Sequence, residues 1–218
     1  MKMNKTGPIT NRFHKALTAP ATDRPVLDVV VSTTEAVVDI LTKDELIAAV
    51  PVFGTAFKAV KALDSMRDRL FAAKLQQFLA EADTMTPEAR AEAARKLAAD
   101  DDGRKAAETL LLVLDKLTDM DKPALLGLLL KHLGNGRINT GELRRLACAI
   151  DLAFPDDLAV FLSEPSDALD RNSNASHWEA LVSAGLTRVL TGDTIALFGE
   201  IYFGTTDLGK LLHALVNG

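Results

Sequence analysis

Between Ala106 and Ile150 apolar residues recur at helical spacing so densely that only a packed set of helices can hide them. Ala106, Leu110, Val113 and Leu117 follow at steps of four, three and four, with Ala107, Leu111 and Leu114 as a second stripe and Leu112 outside both. A helix apolar over most of its circumference is expected to be buried on several sides. Asp101, Asp102 and Gly103 mark its start, where carboxylates suit the positive end of the helix dipole. A loop at Thr118–Asp121 follows, with Asp121 placed to cap a second helix and Pro123 in its first turn. Leu125, Leu126, Leu128, Leu129, Leu130 and Leu133 fill that helix, and Gly134-Asn135-Gly136 ends it. Asn139-Thr140-Gly141-Glu142 has the spacing of a capping box. It opens a third helix with Leu143, Leu146, Ala147 and Ile150 inward and Arg144 and Arg145 towards water.

The turn between the second and third helices has the outline of a calcium loop. Aligning Glu142 with the last ligand position puts Lys131 at the first and Leu133 at the third, and neither can ligate calcium. The expectation is a helix–turn–helix corner with Ile138 plugged into the core and no metal. Over Leu110 to Leu152 this helix–loop–Ile–cap–helix pattern resembles the TerB-like helical domains of tellurite resistance. The resemblance implies a helical bundle; those domains carry an acidic residue where this chain has Asn135 or its neighbours.

Composition sets further bounds. At 218 residues one large domain or two small ones is expected. The net charge of −5 does not favour generic nucleic-acid binding, and a 5% aromatic share argues for few strands. Cys148 is the sole cysteine, which excludes an intrachain disulfide and fits a reducing cytoplasm; between Ala147 and Ala149 it reads as a small buried side chain. No secretory h-region follows the first lysines, and no apolar run reaches the about 20 residues a spanning helix needs.

Residues 1–25 read as a flexible basic arm, in which Lys2, Lys5, Arg12, Lys15 and Arg24 outweigh Asp23. Val26 to Val50 keeps helical spacing. From Leu46 to Phe57 the chain is almost entirely apolar and contains Pro51 and Gly54; basic residues follow it. The favoured reading is a buried hairpin or kinked helix, with Val50, Phe53, Phe57 and Val60 packed on the central leucines. The alternative is a membrane-docking segment, with Phe53 and Phe57 inserted and Lys58, Lys61, Arg67 and Arg69 on anionic headgroups. Leu70, Phe71, Leu75, Phe78 and Leu79 continue the core face. Thr84 to Ala99 reads as an exposed helix, with Thr86 able to cap it and Pro87 in its first turn.

A short helix after Pro155 leads into residues 164–175, rich in Pro, Ser, Asp and Asn, which read as a linker. Ser176-His177-Trp178-Glu179 has capping-box spacing and opens a helix through Ala184, ended by Gly185. Leu186–Leu190 and Thr194–Phe203 read as two strands about a turn, and Thr205-Thr206-Asp207 opens a last helix with Leu208, Leu211, Leu212 and Leu215 inward. Helix, hairpin and "TTDLGKLL" together resemble the end of a winged-helix domain. That resemblance implies a DNA-binding reading with Arg188 on the wing and Lys210 on the helix. Against it, Pro165 to Gly218 holds six acidic and three basic residues, the wrong sign for phosphate. Gly204 to Lys210 has P-loop spacing, but Leu211 stands where a magnesium-binding hydroxyl belongs. His14, His132, His177 and His213 form no metal or triad spacing, and no catalytic motif is present.

The expected fold is mainly α: a multi-helix bundle over 26–163 and a small α+β winged-helix-like unit with one β-hairpin over 176–218. The layout resembles uncharacterised bacterial helical proteins, a type that by analogy implies a mobile-element or phage-defence setting. The expected function is a non-enzymatic cytoplasmic interaction or scaffold protein with a protein partner or self-association, and with no cofactor, metal or catalytic residue. Peripheral docking at the inner membrane face is the alternative, and weak DNA binding is a second.

Overall fold

A computed structural model describes residues 49–51, 53–54, 66–171, 173–191 and 201–218. The described chain is mainly helical, with one two-stranded antiparallel sheet near the C-terminus. It divides into two compact units, one holding the described residues up to Ala147 and the other those from Cys148.

In the first unit α1 (Met66–Ala82) and α2 (Pro87–Ala99) pack on α4 (Lys122–Gly134), whose most extensive neighbours they are in that order, and α3 (Asp101–Lys116) packs chiefly on α2. The leucines of α4 face every direction, and Leu125, Leu126, Leu128, Leu129, Leu130 and Leu133 are all buried. Two glycines let the backbones close. A Cβ on Gly127 would lie 2.3 Å from the Phe78 carbonyl oxygen of α1, and one on Gly134 would lie 2.2 Å from that of Ala89 in α2.

Helix ends follow local chemistry. Thr86 Oγ1 accepts from the Ala89 N–H at 3.2 Å and opens α2. Asp100, one residue ahead of the expected acidic pair, caps α3 by accepting from the Gly103 N–H at 2.8 Å. For α4 the expected cap at Asp121 is replaced by Asp119, whose Oδ1 accepts from the N–H groups of Asp121 and Lys122 at 3.1 and 3.0 Å. Asp121 itself is helical in backbone, so its side chain cannot reach back over the first turn. Gly136, at φ +72°, supplies the left-handed turn after α4. The capping box at α5 (Thr140–Leu152) is reciprocal: Asn139 Oδ1 accepts from the Glu142 N–H, and the Glu142 carboxylate from the Asn139 N–H, both at 2.9 Å. Ile138 is buried beside it.

Two burial expectations are corrected. Leu112, in α3, is 65% exposed, so this helix is covered on fewer sides than its leucines suggest. Cys148 is exposed rather than buried. It lies four residues after Arg144 and three after Arg145, so it shares their outer face, while Ala147, Ala149 and Ile150 turn inward.

The second unit contains α6 (Pro155–Ser163), a 3-10 turn at Ala168–Asp170, α7 (Ser176–Ala180), β1 (Thr187–Thr191), β2 (Ile201–Thr205) and α8 (Asp207–Asn217). β1 and β2 pair with Val189 opposite Phe203 and Thr191 opposite Ile201. The described residues of 164–175, expected as a linker, belong to this unit. Leu169 is buried, and Ser173 exchanges backbone hydrogen bonds with Phe203 at 3.0 and 2.7 Å. α7 is shorter than expected and Ser176 does not cap it; the N-cap position is Ala175, without a side-chain bond. Gly185, at φ +72°, ends the following turn. Thr206 Oγ1 caps α8 by accepting from the Gly209 N–H at 3.0 Å.

Candidate functional site

A polar cluster of the second unit is built on Glu164, the residue that ends α6. Its carboxylate accepts from His177 Nε2 at 2.7 Å and from Trp178 Nε1 at 3.0 and 3.1 Å. Its backbone carbonyl lies 2.8 Å from His213 Nε2. A carbonyl only accepts, so His213 carries its proton on that nitrogen. Asn217 Nδ2 donates to the Leu162 carbonyl at 2.9 Å, so α8 serves two of the orphan carbonyls at the end of α6. Phe161 stands edge-on to both the Trp178 and the His213 rings, with centroids 6.0 and 6.3 Å apart. A carboxylate beside an imidazole is the raw material of acid–base catalysis; here these hydrogen bonds run between residues of three helices. The arrangement fastens α6, α7 and α8 together. Sequence reasoning missed it because Glu164 lies in the stretch that reads as a linker, and nothing in the local pattern pairs it with His177.

The first unit has an open cleft of about 470 Å³ where the end of α2 meets the α4–α5 turn. Arg95, Lys96, Asp100, Arg137, Asn139 and Glu142 supply its polar lining. Most of these groups are already engaged. Glu92 holds Arg95 through two bonds of 2.7 and 2.6 Å, and Lys96 Nζ donates to the Leu133 carbonyl at 2.9 Å. Asp100 and Glu142 are the helix caps described above. Of the cleft's three cations, Arg137 is the one that is exposed and has no ion-pair partner among the described residues. In the calcium-like loop, Lys131 Nζ donates to Thr84 Oγ1 at 2.9 Å and Leu133 is core. Among the described residues no cluster of three His, Cys, Asp or Glu side chains could hold a metal ion.

The residues singled out by sequence fall apart spatially. Phe53 is buried and meets Phe78 edge-on at 6.3 Å. Phe57, Lys58 and Lys61 lie outside the described residues. Arg67 and Arg69 are exposed on α1, and Arg67 is paired with Asp115 of α3 at 2.6 Å. Arg188 is exposed on β1, while Lys210 on α8 is paired with Asp170. No described helix is long and apolar enough to cross a membrane.

Among the described residues of the second unit, large apolar side chains are exposed at Val160 of α6, on the hairpin and at the corner between α5 and α6. On the hairpin, the register puts Val189, Phe203 and Ile201 on one face. Phe203 is buried, whereas Val189 and Ile201 are 53% and 63% exposed. At the corner between α5 and α6, Leu152 and Phe154 are each 60% exposed on either side of the buried Ala153. Comparison of the chain with protein-family models, with curated proteins and with solved structures finds no match.

Proposed function

We propose that this chain is a non-enzymatic, cytoplasmic protein-interaction module of bacterial type, and that its hairpin face makes the contact. The observation that carries the reading is the pair Val189 and Ile201, which extends the apolar face of Phe203 beyond the edge of the core. Single exposed apolar residues are ordinary on any surface; two on one face of a narrow ribbon form a docking edge. Two further observations favour protein over the other partners. Lys210, half of the cationic pair available to DNA, is engaged by Asp170. Phe53, one of two aromatic anchors available to a membrane, is engaged by Phe78.

The test is a Val189→Asp/Ile201→Asp double variant compared with wild type by quantitative co-purification, with circular dichroism as the check on folding. The expected result is at least one protein, or a second copy of the chain, enriched with wild type and lost with a folded variant. Identical recovery with both forms would overturn the hairpin as the contact.

A further inference from the structure

The hydrogen-bond alternation of the hairpin fixes which backbone groups of β1 point away from it. Ser173 and Phe203 exchange backbone hydrogen bonds, so Phe203 turns its N–H and C=O away from β1. Its register partner Val189 therefore belongs to a non-hydrogen-bonded pair and turns its own N–H and C=O to the opposite edge. The Thr206 N–H donates to the Leu186 carbonyl at 3.0 Å, which puts the even-numbered positions of β1 on the β2 side and agrees with this assignment. Val189 and Thr191 thus present their N–H and C=O groups along the outer edge of β1, where none has a partner among the described residues. A free strand edge templates the pairing of another strand, and proteins blunt such edges with proline or lysine. Neither stands between Thr187 and Thr191, and Val189 is exposed.

A second copy of the same edge matches it. We infer that two chains pair antiparallel through β1 about a two-fold axis at Leu190, forming a four-stranded sheet. This rests on the hairpin contact proposed above and names its occupant. Val189 of each chain lies opposite Thr191 of the other in a hydrogen-bonded pair, so four hydrogen bonds satisfy every outward group of both copies. Leu190 meets Leu190 of the partner subunit in the closely spaced non-hydrogen-bonded position. On the other face, the register brings Ile201 and Thr191 into one row with Val189 and Phe203 of the partner subunit. Arg188 lies two positions from the axis, so the two guanidinium groups do not oppose each other. An axis at Val189 would need the edge of Thr187, a buried residue whose Oγ1 already donates to the Trp178 carbonyl. A foreign extended peptide would meet the same hydrogen-bonding groups, but the symmetric match at Leu190 is specific to a second copy.

The experiment is sedimentation velocity on the full chain over a concentration series reaching about 100 μM, because so short an edge belongs with small interfaces. Wild type should move towards twice the mass of one chain. Val189→Pro removes an outward N–H and spares the β1–β2 ladder, so it should weaken association at least about tenfold with an unchanged circular dichroism spectrum. Register is read by oxidation in a Cys148→Ser background. Leu190→Cys should close an interchain disulfide, because non-hydrogen-bonded partners stand about 4.5 Å apart at Cα. Val189→Cys should not, because its two copies are out of step by two positions, more than about 7 Å apart. If Val189→Pro does not fold, the cysteine pair decides. A wild type that stays monomeric, a dimer indifferent to a folded Val189→Pro, or crosslinking at 189 equal to that at 190 would overturn the inference. A monomer that still loses a co-purifying protein on Val189→Asp/Ile201→Asp would sink self-pairing alone and leave the hairpin contact to a different protein.

Discussion

Gly127→Ala sets two physical effects against each other and so fixes a sign. Helix propensity favours alanine by about 1 kcal/mol in a helix interior. The structure opposes it, because the new Cβ would sit 2.3 Å from the Phe78 carbonyl oxygen and 2.8 Å from Glu81 Cβ. Carbon makes its best contacts at about 3.5 Å or more, so α4 must lift from α1 by about 1 Å. The obstructing atom is backbone within a helix, which has no rotamer to yield. Overpacking of this kind costs about 1–3 kcal/mol, and the upper end applies at so short a distance. After the propensity gain a net loss of about 2 kcal/mol remains. In urea, followed by far-ultraviolet circular dichroism, the midpoint should fall by about 1 M at an unchanged slope. Gly136→Ala is the companion: its Cβ meets nothing within 4 Å, and its only cost is the left-handed backbone at φ +72°. It should therefore be milder, about 1 kcal/mol. A Gly127→Ala midpoint equal to or above that of wild type would refute the close α1–α4 crossing.

Three further outcomes follow from named contacts. Lys74 Nζ donates to the Asp115 and Leu117 carbonyls at 2.7 and 2.8 Å, so Lys74→Met should cost about 2 kcal/mol at neutral pH by orphaning both at the end of α3. Burial holds the Lys74 pKa below its ordinary 10.5, so the folded state binds its proton less tightly than the unfolded chain. Wild type should therefore gain stability relative to Lys74→Met as pH rises towards 10.5, read from paired urea titrations at pH 8 and above. Glu164→Gln offers one acceptor oxygen to donors on His177 and Trp178, and should cost about 1–3 kcal/mol. Trp178 is the sole tryptophan, so its emission should report the loosened contact directly. Asn139→Ala removes the side-chain half of the α5 capping box and should lower stability by about 1 kcal/mol, seen as a reduced thermal midpoint.

Legibility of the fold tracked how local its causes are. The leucine periodicity of α3 and α4, the Thr86 cap with Pro87, and the Asn139–Glu142 box depend on neighbours within one turn, and the structure holds them as expected. The same spacing rule, carried one step further, places Cys148 on the face of Arg144 and Arg145, so its exposure was available from the sequence and was masked by its alanine neighbours. The cap of α4 was ambiguous between two aspartates in one loop, and only backbone geometry selects Asp119. Glu164 was illegible for a different reason: its partners come from α7 and α8, 13 to 49 positions away, and its setting is rich in turn-forming residues. The apolar exposure of Val189 and Ile201 also depends on register, because only the pairing with β2 shows which strand face leaves the core.

The reading of this chain as a protein-interaction module rests most directly on what touches Val189. Site-specific photo-crosslinking in cells, with the reactive residue at position 189 and a control at the exposed Arg145, measures that contact. The account predicts discrete protein adducts from position 189 that are absent from position 145. Lipid or nucleic-acid adducts alone, or the same protein pattern from both positions, would contradict it.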